Sequence, residues 1–187
     1  ERSIDLNKNL SGEEKKIRPI GIAVNQEGQI YISDVDNSLI RVFSPKGEEL
    51  SKFGGFGAEN GKFLIPVGLS FDNHGRLAVV DMNNSRVQFF DAQNNFLSKI
   101  GSPGDTKGCF GKPKDVAVDD KGFVYVSDGA NLVVHVFDKD GKFVDVIGAD
   151  KDPNLQFAAP FGVSVEKNRL YVTDRWRNSI RVYEISR

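Results

Sequence analysis

Hydrophobic and polar positions alternate along the chain in short runs, and turn residues such as glycine, asparagine and aspartate separate the runs. The whole pattern returns with a period of 47 residues, most clearly at a proline that precedes an apolar run in each copy: Pro19, Pro66, Pro113 and Pro160. Self-similarity at a fixed period of roughly 20 to 50 residues is the mark of repeat proteins, whose units bury their apolar faces only against their neighbours. The pattern therefore predicts four copies of one structural unit.

Each copy contains four runs that are typical of β-strands. The first two are almost wholly apolar, as in Ile22–Val24 and Ile30–Ile32, and predict strands buried on both faces. The third alternates apolar and polar residues, as in Ile40–Phe43, and predicts a half-exposed strand. The fourth ends at a glycine, as in Phe53-Gly54, before a connection of about a dozen residues to the next copy. Nineteen glycines and fourteen phenylalanines agree with many turns between short aromatic strands, so the predicted fold class is all-β.

A four-stranded meander at this period is typical of the blade of a β-propeller. The copies resemble the NHL repeat in their proline-glycine start (Pro19–Gly21), in the second strand Tyr31–Asp34, and in a third strand matched most closely by Asn84, Arg86, Val87 and Phe89-Phe90. The resemblance implies one β-propeller domain over residues 1–187, with four NHL-like four-stranded blades near residues 18–54, 65–101, 112–148 and 159–187 plus 1–7. Because propellers host many unrelated activities, the resemblance is more specific for fold than for function.

The two ends of the chain predict how the propeller closes. A shift of 47 residues places residues 1–7 on residues 48–54, the fourth strand of the first copy, while the last copy ends after its third strand. We therefore expect the N-terminal strand to complete the last blade, which removes the two open edges of the sheet array. NHL-type propellers usually have six blades, so the alternative is that the four blades are part of a larger, six-bladed ring or assembly.

Composition narrows the partners and the compartment. Charged residues make up 27% of the chain but nearly balance at a net charge of −1, so no overall field recruits nucleic acid or an anionic membrane. No apolar run approaches the roughly 20 residues that a membrane span needs. The single cysteine, Cys109, excludes an intrachain disulfide and a zinc site with several cysteines. The compartment is not determined by the residues, and the resemblance to NHL-like chains of bacteria, which are often exported, favours an extracytoplasmic site in the periplasm or on the surface.

The candidate catalytic residues favour structural roles. An aspartate follows the second strand of each copy, at Asp34, Asp81, Asp128 and Asp174. Although the four could form a carboxylate ring, each lies at a tight turn where the side chain accepts backbone N–H groups, so we interpret them as turn caps. The two histidines, His74 and His135, are too few for the metal-dependent amidating lyases that the fold resembles. The sequence therefore predicts no catalytic residue, no metal ligand and no cofactor.

Two departures from the repeat are candidate binding residues. Arg175, Trp176 and Arg177 stand in the turn after the second strand, where the other copies have Val35–Asn37, Met82–Asn84 and Gly129–Asn131, and tryptophan and arginine are common in binding hot spots. The alternative is a tryptophan that covers the adjacent blade while the arginines reach into water. Lys114 and Asp115 bring charge to a position where the other copies have an apolar residue and glycine. They form either an ion pair that closes the ring or polar groups for a ligand.

These features predict a non-catalytic binding or scaffold propeller rather than an enzyme. Its partner is expected to be a protein, a peptide or another copy of the chain, held by the loop face. The alternative is a metal-dependent lyase or hydrolase with a site at the mouth of the central channel. RNA binding, which some NHL propellers perform, is disfavoured because acidic residues accompany the basic ones.

Overall fold

The computed structural model describes residues 3–7, 15–149, 152 and 154–185, and within these ranges the chain forms four antiparallel sheets. Blade 1 contains β1 (Pro19–Val24), β2 (Ile30–Asp34), β3 (Leu39–Phe43) and β4 (Glu49–Gly54). Blade 2 contains β5 (Pro66–Phe71), β6 (Leu77–Asp81), β7 (Arg86–Phe90) and β8 (Phe96–Ile100). Blade 3 contains β9 (Pro113–Val118), β10 (Val124–Asp128), β11 (Val133–Phe137) and β12 (Phe143–Ile147). Blade 4 contains β13 (Pro160–Glu166), β14 (Arg169–Asp174) and β15 (Ser179–Glu184).

The predicted all-β fold and the four-bladed propeller are confirmed. Consecutive strands pair within every sheet, and a three-residue 3₁₀ turn at Met82–Asn84 is the sole helical element of the described ranges. No helix in that part of the chain has the length and apolar character needed to cross a bilayer. In blades 1, 2 and 4 the pairing of the first two strands shifts just after the proline, as between Pro19 and Ile22. This bulge brings the start of the innermost strand to the mouth of the channel.

Phenylalanines from the long connections fill the spaces between blades. Phe63, Phe110 and Phe157 are each at most 2% exposed and belong to the apolar clusters between blades 1 and 2, 2 and 3, and 3 and 4. The glycine that ends each fourth strand leaves room for this ring. At Gly101, with φ of +84°, an added Cβ would lie 2.2 Å from Cε2 of Phe110. Turn glycine and buried ring therefore form one unit that recurs in each interface between blades.

The third strands differ from the sequence prediction of half-exposed strands. All residues of β7 and β11 are buried, as are the last four of β3. Their polar residues are covered by the turn aspartate and by the long connection, as Gln88 shows by donating to the Lys62 carbonyl at 2.8 Å. Alternation along the strand thus reflects a buried polar network rather than solvent. Only β15 of blade 4 is largely exposed among the third strands.

The prediction that the N-terminal strand completes the last blade is wrong for residues 3–7, and residues 1 and 2 lie outside the described residues. Residues 3–7 form no strand, and the sheet of blade 4 has the order β13-β14-β15. Leu6 instead packs with Ile17, Ile32 and Phe43 on blade 1. Blade 1 has an apolar face with no blade in front of it, and burying Leu6 there removes apolar surface from water.

Blades 1 and 4 do not close on each other. Extensive contacts join β1 to β5, β5 to β9 and β9 to β13, whereas no contact of comparable extent joins β1 to β13 in the described ranges. Ile22 of β1 is 66% exposed, while its counterparts Leu69, Val116 and Val163 are at most 9% exposed. The four blades therefore form an arc with one apolar face free at each end, which is consistent with the alternative of a larger ring or assembly.

Candidate functional site

The innermost strands of all four blades surround a central cavity of about 480 Å³. Its walls are mostly backbone and apolar side chains, because the innermost strands carry alternating small and apolar residues. Lys114 and Asp115 at the start of β9 are the charged residues among its described lining, and Phe161 of β13 lies beside them. The charged residues of the cavity lining therefore lie on blade 3, next to blade 4.

Asp115 joins three blades. Its Oδ2 accepts a hydrogen bond from the Val163 N–H of blade 4 at 3.0 Å, and its Oδ1 accepts one from the Val116 N–H at 2.9 Å. The carboxyl group also fills the space over Gly68 of blade 2, where an added Cβ would lie 2.4 Å from Oδ1. Burial raises the pKa of Asp115 to about 6, against the opposing effect of the two N–H donors. Asp115 therefore links blades 2, 3 and 4 at the channel, at the expense of burying a carboxyl group.

Lys114 does not pair with Asp115, so the predicted ion pair is absent at this position. Its Nζ lies 3.4 Å from Sδ of Met82, and its side chain packs over Gly129. Burial lowers the pKa of Lys114, and the nearby positive charges of Lys112 and Arg175 lower it further. We call Lys112, Lys114 and Arg175 the basic mouth: Lys114 lines the channel, Lys112 and Arg175 lie near it, and the carboxylate of Asp128 lies near it too and acts in the opposite sense.

The turn between β14 and β15 presents Trp176 to solvent. The side chain of Trp176 is 78% exposed, and its counterparts in blades 2 and 3, Asn83 and Ala130, are exposed as well. The blade 1 counterpart, Asp36, is half-buried, so exposure at this turn position varies between the blades. Arg175 stacks over the ring of Phe161, with its Cζ 5.2 Å from the ring centroid. Trp176 therefore follows, in the same turn, the arginine that contacts the channel lining.

Arg177 lies on the other side of Trp176, and its Nε is 3.8 Å from Oδ2 of Asp174. The guanidinium is about one-third exposed, so part of it faces solvent. The structure brings Arg175, Lys114 and Asp115 together around Phe161 at the channel mouth, whereas Trp176 and Arg177 lie on the turn above it. The five residues singled out in the sequence therefore lie on the adjoining edges of blades 3 and 4.

The four aspartates accept backbone N–H groups, as their interpretation as turn caps expects, but these come from the connection before the blade, and among the described residues only Asp128 also accepts backbone N–H groups of its own turn. Asp174 accepts hydrogen bonds from the Ala158 and Ala159 N–H groups, and Asp128 accepts them from Gly111 and Lys112, in each case from the connection that leads into the same blade. Burial alone would raise the pKa of Asp128, but these N–H groups, that of Asn131 and the imidazole of His135 lower it to about 2. The carboxylates therefore bind each long connection to the blade that it leads into.

The partners of these aspartates on the third strands were not anticipated from the sequence. Arg41 donates through Nε to Oδ2 of Asp34 at 2.9 Å, and Arg86, at the start of β7 and two residues before the counterpart of Arg41, donates to Oδ2 of Asp81 at 2.9 Å. The signal was present, because a polar residue recurs inside each otherwise apolar third strand. Among the described residues, no group of three His, Cys, Asp or Glu side chains is placed to hold a metal ion.

Comparison with known proteins places the chain among propellers. The NHL repeat family matches residues 17–43, which span the first three strands of blade 1. No curated protein is similar enough in sequence to match. A streptogramin B lyase structure is similar with a TM-score of 0.69 and 15% identity, over 94% of this chain and 57% of that chain.

Two other solved structures extend the comparison. The computationally designed Ika4 protein is similar with a TM-score of 0.62 and 13% identity, over 94% of this chain and 96% of that chain. A putative gluconolactonase is similar with a TM-score of 0.63 and 18% identity, over 95% of this chain and 63% of that chain. The chain spans less than two thirds of the lyase and of the putative gluconolactonase, and identities this low establish the shared fold alone.

Proposed function

Because the chain is an NHL-repeat β-propeller, we propose that it is a non-catalytic binding or scaffold module that holds a protein or peptide at the edge of blades 3 and 4. The observation that carries the proposal is the 78% exposure of Trp176 directly after Arg175, which stacks over Phe161 of the channel lining. A large aromatic side chain in water is unfavourable unless a partner covers it, and tryptophan and arginine contribute disproportionately to interfaces.

The charge of the site favours an acidic partner segment. Lys112 and Arg175 each lie near Lys114 and lower its pKa, while Asp128 acts in the opposite sense, and a further carboxylate from a partner would favour the charged form of Lys114. Arg175 is held by its contact with Phe161, which reduces the conformational entropy lost on binding. The site therefore fits a peptide that places an apolar or aromatic residue on Trp176 and acidic residues over the basic mouth.

A defined peptide library displayed on phage tests the proposal. Immobilised protein is expected to enrich acidic peptides. Trp176→Ala is expected to raise the dissociation constant of the enriched peptides by roughly tenfold or more. The matched control is Asn83→Ala, because Asn83 occupies the same exposed turn position in blade 2. Failure to enrich any acidic sequence, or equal binding by Trp176→Ala and the control, would contradict the proposed site.

The second candidate function is a metal-dependent lyase or hydrolase with its site at the channel mouth. Its support is the similarity in fold to a streptogramin B lyase and a putative gluconolactonase, both of which are named for enzymatic activities. Elemental analysis of the purified protein distinguishes the two functions. Stoichiometric zinc or calcium that is lost in the variant Asp115→Ala would favour the enzyme over the binding module.

A further inference from the structure

His135 is a buried polar side chain that lacks hydrogen bonds. It lies on β11 of blade 3 and is 2% exposed, and neither Nδ1 nor Nε2 has a hydrogen-bond partner among the described residues. The rings of Phe110, Phe137 and Phe143 pack around it, with centroids 5.2 to 6.4 Å from that of the imidazole. Burial of two unpaired nitrogens is unfavourable, so the neutral imidazole is poorly suited to this position.

The other copies of the repeat place a hydrogen-bonding side chain at the position of His135. In blade 2, Gln88 donates to the Lys62 carbonyl at 2.8 Å, which ties the long connection to the third strand. In blade 4, Arg181 donates to the Leu155 carbonyl of its own connection at 2.8 Å. His135 makes no such bond, so it does not tie the connection into blade 3 to β11.

The contact that remains in blade 3 is the one between Asp128 and the connection. Its Oδ2 accepts the Gly111 N–H at 2.7 Å, and its Oδ1 accepts the Lys112 N–H at 2.9 Å. Although burial opposes it, the neighbouring imidazole and the N–H donors hold the pKa of Asp128 at about 2. The carboxylate is therefore ionised at every pH at which a histidine changes its charge.

The imidazole of His135 faces this carboxylate. Its Nε2 lies 3.6 Å from Oδ2 of Asp128, which is too long for a hydrogen bond. A charge-assisted N–H···O bond is about 2.7–2.9 Å long, so a closing movement of less than about 1 Å completes it once the ring is protonated. Protonation also makes both ring nitrogens donors, and it occurs in histidines at about pH 5 to 8.

Asp128 is the charged group that the described contacts place against the imidazole. Across the sheet, His135 is paired with Val126 of β10 and with Val146 of β12, which carry no charge. Lys114 interacts with Asp128 through its charge, but it lines the channel. A proton on His135 therefore acts first on Asp128.

We propose that His135 and Asp128 form a proton-operated latch on the connection into blade 3. When the imidazole is charged, Asp128 bridges the connection to β11, the link that Gln88 and Arg181 make directly in their own blades. When the imidazole is neutral, the carboxylate holds the connection without this support. Residues 111 and 112 lead into β9, so the latch controls how firmly the start of that strand is held at the channel. It acts whether or not a partner binds near Trp176.

The charge of the imidazole is measured first, in the unmodified protein. The ¹⁵N chemical shifts of the ring of His135 are expected to change from those of a neutral imidazole at pH 8 to those of a charged one at pH 5. His74 gives the second histidine signal and is exposed in a turn of blade 2, so it reports on an imidazole in water. An imidazole of His135 that stays neutral at pH 5 in the folded protein would overturn the proposal.

Amide hydrogen exchange measures the latch itself. Protection of the Gly111 N–H, corrected for the intrinsic effect of pH on exchange, is expected to rise roughly tenfold from pH 8 to pH 5. Leu64 is the matched control within the chain, because it is the counterpart of Gly111 and donates to Asp81 at 2.9 Å. Its blade carries Gln88 in place of a histidine, so its protection should not change. A rise of the same size at Leu64 would contradict a latch that is specific to blade 3.

The repeat itself supplies the variants. His135→Gln introduces the neutral residue of blade 2 and is expected to remove the pH dependence at Gly111, whereas His135→Arg introduces the permanently charged residue of blades 1 and 4 and should keep Gly111 protected at both pH values. The controls His74→Gln and Asp115→Asn should retain the pH dependence; the second is needed because burial raises the pKa of Asp115 to about 6. A pH dependence that persists in His135→Gln, or is lost in either control, would overturn the proposal. Unchanged circular dichroism spectra establish that the variants are folded.

Discussion

Blade 2 and blade 4 carry the same repeat, but they differ in what covers them. Every residue of β6 and β7 in blade 2 is buried, whereas β15 in blade 4 has a mostly exposed pattern. Val87 is 0% exposed and its counterpart Ile180 is 67% exposed, although both are β-branched residues at the same position of the repeat. In a stacked repeat protein, burial depends on the neighbouring unit as much as on the residue. Equivalent substitutions in the two blades should therefore have unequal effects.

The largest difference in stability is expected between a buried and an exposed phenylalanine of the long connections, Phe110 and Phe56, which occupy different positions of the repeat. Phe110 is 0% exposed between blades 2 and 3, so Phe110→Ala should lower the free energy of unfolding by about 3–5 kcal/mol through lost burial and a residual cavity. Phe56 lies in the connection before blade 2 and is 79% exposed, so Phe56→Ala should cost less than about 0.5 kcal/mol. Urea denaturation measures both. Similar losses at the two positions would mean that the rings do not plug the interfaces as the structure shows.

A smaller difference in stability is expected between equivalent substitutions in two of the third strands. Ile40→Ala removes a fully buried side chain from the interface of blades 1 and 2 and should cost about 2–5 kcal/mol. Ile180→Ala, at a position that is 67% exposed, should cost less than about 1 kcal/mol. A loss at Ile180 as large as that at Ile40 would show that another part of the chain covers blade 4 in solution.

At Asp115 the comparison is between the stability of the protein at two pH values. Its folded pKa of about 6 lies above the ordinary value of 3.8, so the ionised carboxylate destabilises the fold. This cost is fully present above pH 6 and is relieved as the pH falls towards 3.8, by about 3 kcal/mol at most. As the pH falls from 7 to 4, the free energy of unfolding of the unmodified protein should therefore rise relative to that of the variant Asp115→Asn. Asparagine does not ionise, so the variant lacks this pH dependence. If the difference in free energy of unfolding between the two proteins stayed constant over this range, the Asp115 carboxyl would be exposed to water rather than buried.

The fold was predictable because its signals repeat. A turn aspartate, a glycine after the fourth strand and an apolar second strand recur with the 47-residue period, so each copy supports the assignment of the others. The N-terminal segment had no such support. Its match to the fourth strand rests on a single copy, and the competing attraction is the uncovered apolar face of blade 1, where Leu6 packs.

The site was predictable only as a set of departures from the repeat. The residue types at 175–177 stood out in the sequence, but the approach of Lys112 to Lys114 and Arg175 depends on how blades 3 and 4 meet. The charged pair at Lys114 and Asp115 suggested an ion pair because the two residues are adjacent. Neighbours on a strand point to opposite faces, so Asp115 reaches the backbone of blade 4 while Lys114 extends towards Met82.

The smallest effect on stability is expected at Trp176, and its small size is what makes the variant informative. Trp176→Ala removes a side chain that is 78% exposed, so the free energy of unfolding should change by less than about 0.5 kcal/mol. Thermal and urea denaturation of the variant and of Asn83→Ala should agree within that amount, because both positions lie exposed on equivalent turns. A loss of more than about 2 kcal/mol, of the size seen for buried aromatic residues, would assign Trp176 to the packing of blade 4. Unchanged stability combined with lost peptide binding would instead show that Trp176 serves binding and not the packing of blade 4.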